Sequence, residues 1–212
     1  MRSSGHSDYL ARVCNYNLIM CFWSDDLKTA LFTTHIPLKE IWQHLHKERI
    51  IDFIIRTDRE LKKLFKRSFP LICPGFNPHS GEEGSIGLEE QEIIIPALRN
   101  LPDNITVTGP FSPDTAFLEA VKIREAVALA WYHDQALLPF KMINFNRGAQ
   151  LTLGLPFVRT SPDHGTAEGI CGLGRADPGS MLAAMRLASD LLNQAESSGM
   201  NLDKSDCFSG KA

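Results

Sequence analysis

Short runs of apolar residues, separated by turn-forming residues, dominate the first third of the chain. Residues 17–23 and 28–34 are rich in apolar and β-forming side chains, and the polar residues between them predict a turn, so the two runs predict a pair of strands. Further along, apolar side chains such as Ile50, Ile54 and Leu61 recur at helical spacing with Lys and Arg between them. This spacing predicts a long amphipathic helix.

The rest of the chain continues to alternate between strand-like and helix-like patterns. The turn-rich segment 109–115 predicts a loop between two of the strands. The patterns predict further strands at residues 71–73, 105–108, 126–132 and 150–155, and further helices at residues 88–101, 164–171 and 178–193. Strands that alternate with helices predict a layered α/β fold.

Composition and charge narrow the classes of function. The chain has 212 residues, of which 43% are hydrophobic and 22% charged, as is usual for globular proteins with one large domain or two small ones. Its formal net charge of −3 provides no basic field for nucleic acid or an anionic membrane. No apolar run reaches the roughly 18 to 20 residues that span a bilayer, and the first residues lack the apolar core of a signal peptide. The expected location is the cytoplasm.

Three histidines occupy the ends of predicted strands or polar loops. They are His35, His79 and His133. Ligand sites in α/β sheets gather beyond the carboxyl ends of strands, and three imidazoles can bind a divalent metal while leaving a position open for substrate. Their spacing matches no local zinc motif, however. On spacing alone, three unrelated loop histidines are the favoured interpretation, and a shared metal site is the alternative.

Cationic residues surround the strand predicted at residues 150–155. The candidates for binding phosphate or carboxylate groups are Lys141, Arg147 and Arg159. The alternative, given equal weight, is that these three residues are ordinary solvated cations on the surface. The glycines of segment 172–177 follow a predicted helix instead of a strand, so they do not form a dinucleotide fingerprint. No Walker loop and no Gly-x-Ser-x-Gly motif occur. The residues alone therefore predict an α/β protein with a candidate histidine metal site.

Several motifs, taken together and in order, resemble the 4-hydroxythreonine-4-phosphate dehydrogenase family. The resemblance extends from about residue 5 to residue 192. The motifs are Thr34-His-Ile-Pro-Leu38, Asn77-Pro-His-Ser-Gly-Glu82, Gly109-Pro110 with Pro113-Asp-Thr115, Tyr132-His-Asp-Gln135, Thr152-Leu-Gly-Leu-Pro156, Arg159-Thr-Ser-Pro-Asp-His-Gly-Thr166 and Ala176-Asp-Pro-Gly-Ser180.

The resemblance implies a fold and a reaction. The fold is α/β/α, as in isocitrate and isopropylmalate dehydrogenases, and is not a Rossmann fold. The reaction is the NAD- or NADP-dependent oxidation of 4-phosphooxy-L-threonine, whose β-keto acid product loses CO2 on the way to pyridoxine 5'-phosphate. Such enzymes are homodimers that share each active site between subunits and bind a divalent metal such as zinc, magnesium or cobalt.

The resemblance also implies roles for particular residues. Ser7, Glu83 and Gln150 stand where the family usually has Thr, Gly and Asn. The implied metal ligands are His35, His79 and His133; the implied substrate contacts are His6, Ser7, Lys141, Gln150 and Arg159; and the residues expected to orient imidazoles are Asp134 and Asp163.

One departure from the family is large, because its members carry a substantial segment before the Gly5-His6 motif. Residues 1–197 are therefore expected to form the C-terminal two-thirds of a two-lobed dehydrogenase, and residues 198–212 a polar tail. The strands at residues 17–23 and 126–132 are the candidates for neighbours of the missing lobe. The alternatives are a sister dehydrogenase of threonate or erythronate 4-phosphate, and a non-catalytic truncated remnant.

Overall fold

Seven short strands form one mixed β-sheet in the computed structural model, which describes residues 6–14 and 16–197. The five inner strands are almost wholly buried because helices cover the sheet on both faces, whereas the two outer strands are not. The strands are β1 (Ile19–Trp23), β2 (Lys28–Leu31), β3 (Leu71–Pro74), β4 (Val107–Phe111), β5 (Val127–Ala130), β6 (Ala149–Leu153) and β7 (Arg159–Pro162). Their order across the sheet is β4-β3-β5-β2-β1-β6-β7.

The direction of the strands decides which loops lie together. Strands β4, β3, β5 and β2 are mutually parallel, whereas β1 is antiparallel to both β2 and β6, and β7 is antiparallel to β6. The carboxyl ends of β4, β3, β5, β2 and β6 therefore meet at one edge of the sheet. The turn predicted between residues 17–23 and 28–34 is confirmed as the β1–β2 hairpin.

Helices cover both faces of the sheet. One buried cluster joins residues of α3 and α7 to one face, and a second joins residues of α5 and α6 to the other. The predicted α/β/α layering is thus confirmed. The helices are α1 (His6–Cys14), α2 (Leu38–Ile41), α3 (Lys47–Phe65), α4 (Ile95–Leu98), α5 (Pro113–Lys122), α6 (His133–Asn144) and α7 (Gly179–Ser197). Within the described ranges, none of these helices has the length and apolar character needed to cross a bilayer.

Two expectations about local structure are wrong. Residues 164–171 form no α-helix but an exposed loop with one 3-10 turn at Glu168–Ile170, since this glycine-rich segment takes left-handed conformations at Ala167 and Gly172. The helix expected at residues 88–101 is confirmed as a helical segment, in which a π-turn at Glu90–Ile94 leads into the short α4. Pro96 lacks the N–H that would continue an α-helical ladder across this junction.

The second wrong expectation concerns segment 109–115, where the pattern predicts a loop. Its first residues belong to β4, and Pro113 begins α5, a helix that the pattern did not predict. Pro in the first turn of a helix is well tolerated because its missing N–H has no intrahelical partner there.

The two strands named as candidates for neighbours of a further lobe lie in the interior of the sheet. Strand β1 pairs with β2 and β6, and β5 pairs with β2 and β3. Neither strand therefore offers an open edge for pairing. The outer strands of the described sheet are β4 and β7.

Candidate functional site

The three candidate histidines follow three adjacent parallel strands. His35 comes after β2, His133 after β5 and His79 after β3, and β5 lies between the other two. Because these strands point the same way, all three histidines lie at the carboxyl edge of the sheet. The structure brings two of them together, with the ring centroids of His35 and His133 5.8 Å apart.

His133 is held in a defined orientation at the first residue of α6. Its Nδ1 lies 2.7 Å from Oδ1 of Asp134, and its ring stands edge-on to Phe22 with the centroids 6.5 Å apart. A carboxylate that accepts from Nδ1 fixes the tautomer and leaves Nε2 as the nitrogen available to a metal. The side chain is 35% exposed.

His79 lies on an exposed turn between β3 and the π-turn at Glu90–Ile94. A cavity of about 340 Å³ separates this turn from the start of α5 and is lined by His79, Ser112, Asp114 and Tyr132, among others. Ser112 donates a 2.6 Å hydrogen bond to Asp114. This bond, followed by smaller contributions that include the nearby His79, lowers the pKa of the Asp114 carboxyl.

The imidazoles of His35 and His133 have a chemistry and a spacing that suit a divalent metal, although the described residues do not complete a site. With metal–nitrogen distances of about 2.1 Å, two imidazoles on one ion have ring centroids at most about 6.4 Å apart, and His35 and His133 meet this limit. Over residues 6–14 and 16–197, no three His, Cys, Asp or Glu side chains form a group that could hold a metal ion. A shared ion therefore needs a third ligand from elsewhere.

Lys141 lies two helical turns beyond His133 on α6, about 12 Å away at 1.5 Å per residue. Its Nζ lies 2.9 Å from Oδ1 of Asp163, a carboxylate whose side chain is 0% exposed, and donates to the Asp163 carbonyl at 2.5 Å. Ser180 is 3.0 Å from the same Oδ1. Asp163 thus positions the Lys141 ammonium, beside a cavity of about 450 Å³ that both residues line.

Arg159 and Gln150 belong to a polar network on the sheet face that α6 partly covers. Register alignment puts Gln150 beside Phe22, whose ring packs on Phe140 of α6, so the network lies next to that helix. Arg159 donates to Thr152 at 2.6 Å and to Gln150 at 3.2 Å. Burial lowers the pKa of the Arg159 guanidinium, which still carries its charge at neutral pH because arginine is not deprotonated in proteins.

Two candidate substrate contacts have side chains that the structure does not describe. His6 and Ser7 begin α1, and their backbone is helical, but nothing further is described of them. The residues that the sequence reasoning missed are Glu89 and Glu90. Both carboxylates bind Asn77, at the start of the turn that carries His79. The only signal in the sequence is a pair of consecutive glutamates at the start of the helix expected at residues 88–101, where acidic side chains suit the positive end of the helix.

Comparisons with known proteins agree with the motifs. A family model described as pyridoxal phosphate biosynthetic protein PdxA matches residues 1–188. A 4-hydroxythreonine-4-phosphate dehydrogenase of Sulfurihydrogenibium sp. is 47% identical over 191 residues, which cover 87% of this chain and 58% of that protein. This chain therefore spans less than two thirds of the length of that relative.

Solved structures give the same assignment of fold. The 4-hydroxythreonine-4-phosphate dehydrogenase of Klebsiella pneumoniae superposes with a TM-score of 0.76 at 36% identity, covering 89% of this chain and 58% of that one. A terephthalate 1,2-cis-dihydrodiol dehydrogenase of Burkholderia xenovorans LB400 superposes with a TM-score of 0.66 at 27% identity, covering 88% and 60%. The expected isocitrate/isopropylmalate dehydrogenase-like fold is thereby confirmed.

Proposed function

The chain belongs to the family of the pyridoxal phosphate biosynthetic protein PdxA, and on that premise we propose that it supplies metal and substrate contacts of a 4-hydroxythreonine-4-phosphate dehydrogenase. The proposed reaction oxidises 4-phosphooxy-L-threonine to 2-amino-3-oxo-4-phosphooxybutanoate. The carbinol carbon gives a hydride to NAD or NADP, and the hydroxyl proton is released. The product then loses CO2 to give 3-amino-2-oxopropyl phosphate.

The observation that carries the proposal is the set of imidazoles at one sheet edge. His35, His79 and His133 follow adjacent parallel strands, and Asp134 orients His133 so that its Nε2 is available. Zinc, magnesium or cobalt bound there would act as a Lewis acid that lowers the pKa of the substrate hydroxyl. The histidines would hold the metal, and the ring of His133 would stay fixed while the substrate hydroxyl loses its proton.

Lys141 and Arg159 are the proposed partners of the substrate's anionic groups. Lys141 is fixed by the buried Asp163, and Arg159 is fixed by Thr152 and Gln150, so neither cation must be ordered when substrate binds. Pre-ordered donors bind phosphate and carboxylate groups at a lower entropic cost. His6 and Ser7 are proposed as further substrate contacts on the strength of the motif alone.

We also propose that the chain acts as a homodimer in which each metal site draws ligands from both copies, with residues up to 197 forming part of a two-lobed subunit. Among the described residues, His35, His79 and His133 do not form a complete metal-binding group, and this supports sharing between two copies. An apolar stripe along α6 supports association, since Leu138, Met142 and Phe145 are 66%, 86% and 77% exposed and lie at helical spacing.

Replacing Met142 by glutamate should weaken this dimer. A carboxylate at the centre of the stripe would have to lose its water on association, so we expect at least a tenfold weaker dimer, about 1.4 kcal/mol or more. Sedimentation equilibrium of the two proteins would measure the change. Met185→Glu is the matched control, because Met185 is also exposed, at 61%, but belongs to α7, which covers the opposite face of the sheet. A dimer unaffected by Met142→Glu would contradict this surface.

An activity assay tests the proposed reaction itself. The full chain would be assayed for NADH or NADPH formation with zinc, magnesium or cobalt, using 4-phosphooxy-L-threonine, threonate 4-phosphate, erythronate 4-phosphate and a cis-dihydrodiol. We expect the three phosphorylated substrates to react with a higher kcat/KM than the cis-dihydrodiol, since Lys141 and Arg159 can bind a phosphate group. Among the three, we expect the highest value for 4-phosphooxy-L-threonine, the substrate that the proposed reaction names. A preference for another substrate would indicate a sister dehydrogenase, and metal binding without turnover of any substrate would indicate a non-catalytic remnant.

A further inference from the structure

The turn that carries His79 has an unusual backbone. His79, Ser80, Glu82 and Glu83 all adopt positive φ angles, of 53°, 53°, 42° and 54°. Each such residue costs roughly 1–2 kcal/mol relative to a right-handed conformation because its Cβ crowds the following carbonyl oxygen. Glu83 stands where the family usually has Gly, the residue that this conformation favours. A turn of this kind persists only if neighbouring groups hold it in place.

Glu90 is the group that holds the turn at its first end. Its Oε1 accepts hydrogen bonds from the backbone N–H groups of Phe76 and Asn77, both at 2.7 Å. Its Oε2 accepts from the Asn77 side-chain amide at 2.9 Å. Glu90 is only 1% exposed, so its carboxylate is buried and bonded on both oxygens to the segment that leads into His79. Hydrogen bonds to an ionised acceptor are the stronger class.

The same carboxylate also touches the middle of the turn. A Cβ atom on Gly81 would lie 2.8 Å from Oε2 of Glu90 and 2.5 Å from the carbonyl oxygen of Gly87. Those distances are too short for any side chain larger than hydrogen. The turn therefore packs directly against Glu90, and a change in the position of the carboxylate must move the backbone on both sides of His79.

We infer that Glu90 is a positioning residue that sets the location of the His79 imidazole for metal binding through the Asn77–Gly81 backbone. This inference rests on the proposed function, in which His79 is a metal ligand, and deepens it. Glu89 assists by accepting from the Asn77 amide at 2.7 Å. A helix-start glutamate with only a local structural role would instead affect folding without acting through His79.

A double-mutant cycle separates these two roles. Glu90→Gln removes the charge and places an amide opposite the Asn77 amide, so we expect zinc affinity to fall about 10–100-fold, the usual effect of losing a group that orients a ligand. In a His79→Ala background, the same substitution should change zinc affinity less than about twofold. Zinc binding would be measured by competition with a chromogenic chelator. Equal losses in both backgrounds would overturn the inference.

Two control variants guard against a trivial loss of folding. Glu92→Gln removes an exposed carboxylate from the same π-turn and should leave zinc affinity unchanged. Leu61→Ala removes a fully buried side chain of α3 and should lower Tm without altering zinc affinity. If Glu90→Gln does not fold, Glu90→Asp keeps the charge but shortens its reach, and takes its place in the cycle.

Hydrogen exchange decides the inference independently of metal. In Glu90→Gln, the amides of Phe76 and Asn77 should exchange at least about tenfold faster, because their acceptor has lost its charge. Unchanged exchange would overturn the positioning role. If the unmodified chain bound no zinc, the proposed metal function would fall, and the exchange of these two amides would still decide whether Glu90 holds the turn.

Discussion

Replacing His133 by alanine is expected to abolish dehydrogenase activity and to weaken zinc binding by more than about 100-fold. Loss of an outer group that only orients a ligand costs about 10–100-fold in affinity, so loss of a ligand itself should cost more. Asp134→Asn weakens the orientation of His133 but keeps its ring, so the loss of zinc affinity should lie within that range of about 10–100-fold. His44→Ala is the control, because His44 lies on an exposed 3-10 turn that belongs to no part of the proposed site.

Mixing two inactive variants tests whether the site is shared between subunits. If His79 and His133 reach one ion from different subunits, a mixture of His79→Ala and His133→Ala chains should recover about a quarter of the activity and bound zinc. Half of the randomly formed dimers are mixed, and each mixed dimer has one intact site of two. A mixture that stays as inactive as its components would contradict a site divided in this way.

Replacing Lys141 by methionine should destabilise the fold by about 3–5 kcal/mol, because it leaves the Asp163 carboxylate buried without its counter-ion. Asp163 has a fully buried side chain, and its Oδ2 already lacks a hydrogen-bond partner in the described structure. Urea denaturation of the two proteins would give the difference in the free energy of unfolding. This loss would occur in addition to any loss of substrate binding.

A matched surface pair provides the comparison for Lys141. Lys122 pairs with Glu119 at 2.6 Å, but the Lys122 side chain is 68% exposed, so Lys122→Met should cost no more than about 1 kcal/mol. The double variant Lys141→Met with Asp163→Leu should recover part of the stability, since it removes both charges. If Lys141→Met and Lys122→Met lowered the free energy of unfolding equally, the ion pair of Lys141 with Asp163 would contribute no more than an exposed pair, and the prediction would be wrong.

Most of the strands were predictable from sequence because their apolar residues are local and continuous, as in the β1–β2 hairpin. Strand β7 was not predicted, because its residues form no apolar run, whereas α3 follows from apolar residues at helical spacing. Helix α6 was not predicted, because it contains Pro139 and packs its apolar residues against β1 and β2, which lie far away in sequence. The loop at residues 164–177 was read as partly helical because helix propensity says nothing of the glycine conformations that interrupt it.

The candidate site likewise has features that were predictable from sequence and features that were not. The positions of His35, His79 and His133 after strands were visible in the sequence, and the order of the strands turns those positions into neighbours. The ion pair between Lys141 and Asp163 could not be foreseen, because it joins the end of α6 to the residue after β7. The role of Glu90 could not be predicted either. Its partners Phe76 and Asn77 are brought near by a left-handed turn that no residue propensity predicts.

The central place of the β1–β2 hairpin in the sheet has a consequence for how the chain acquires its fold. Strand β2 pairs with β5, and Ile19 of β1 pairs with Leu153 of β6. Both sides of the hairpin therefore pair with segments that the ribosome synthesises much later. Contacts between residues so distant in sequence slow folding, because a long loop must close before any pairing energy is gained. A nascent chain that ends before β6 would leave one side of β1 unpaired. We therefore expect the sheet to form in one late, cooperative step and not strand by strand during synthesis.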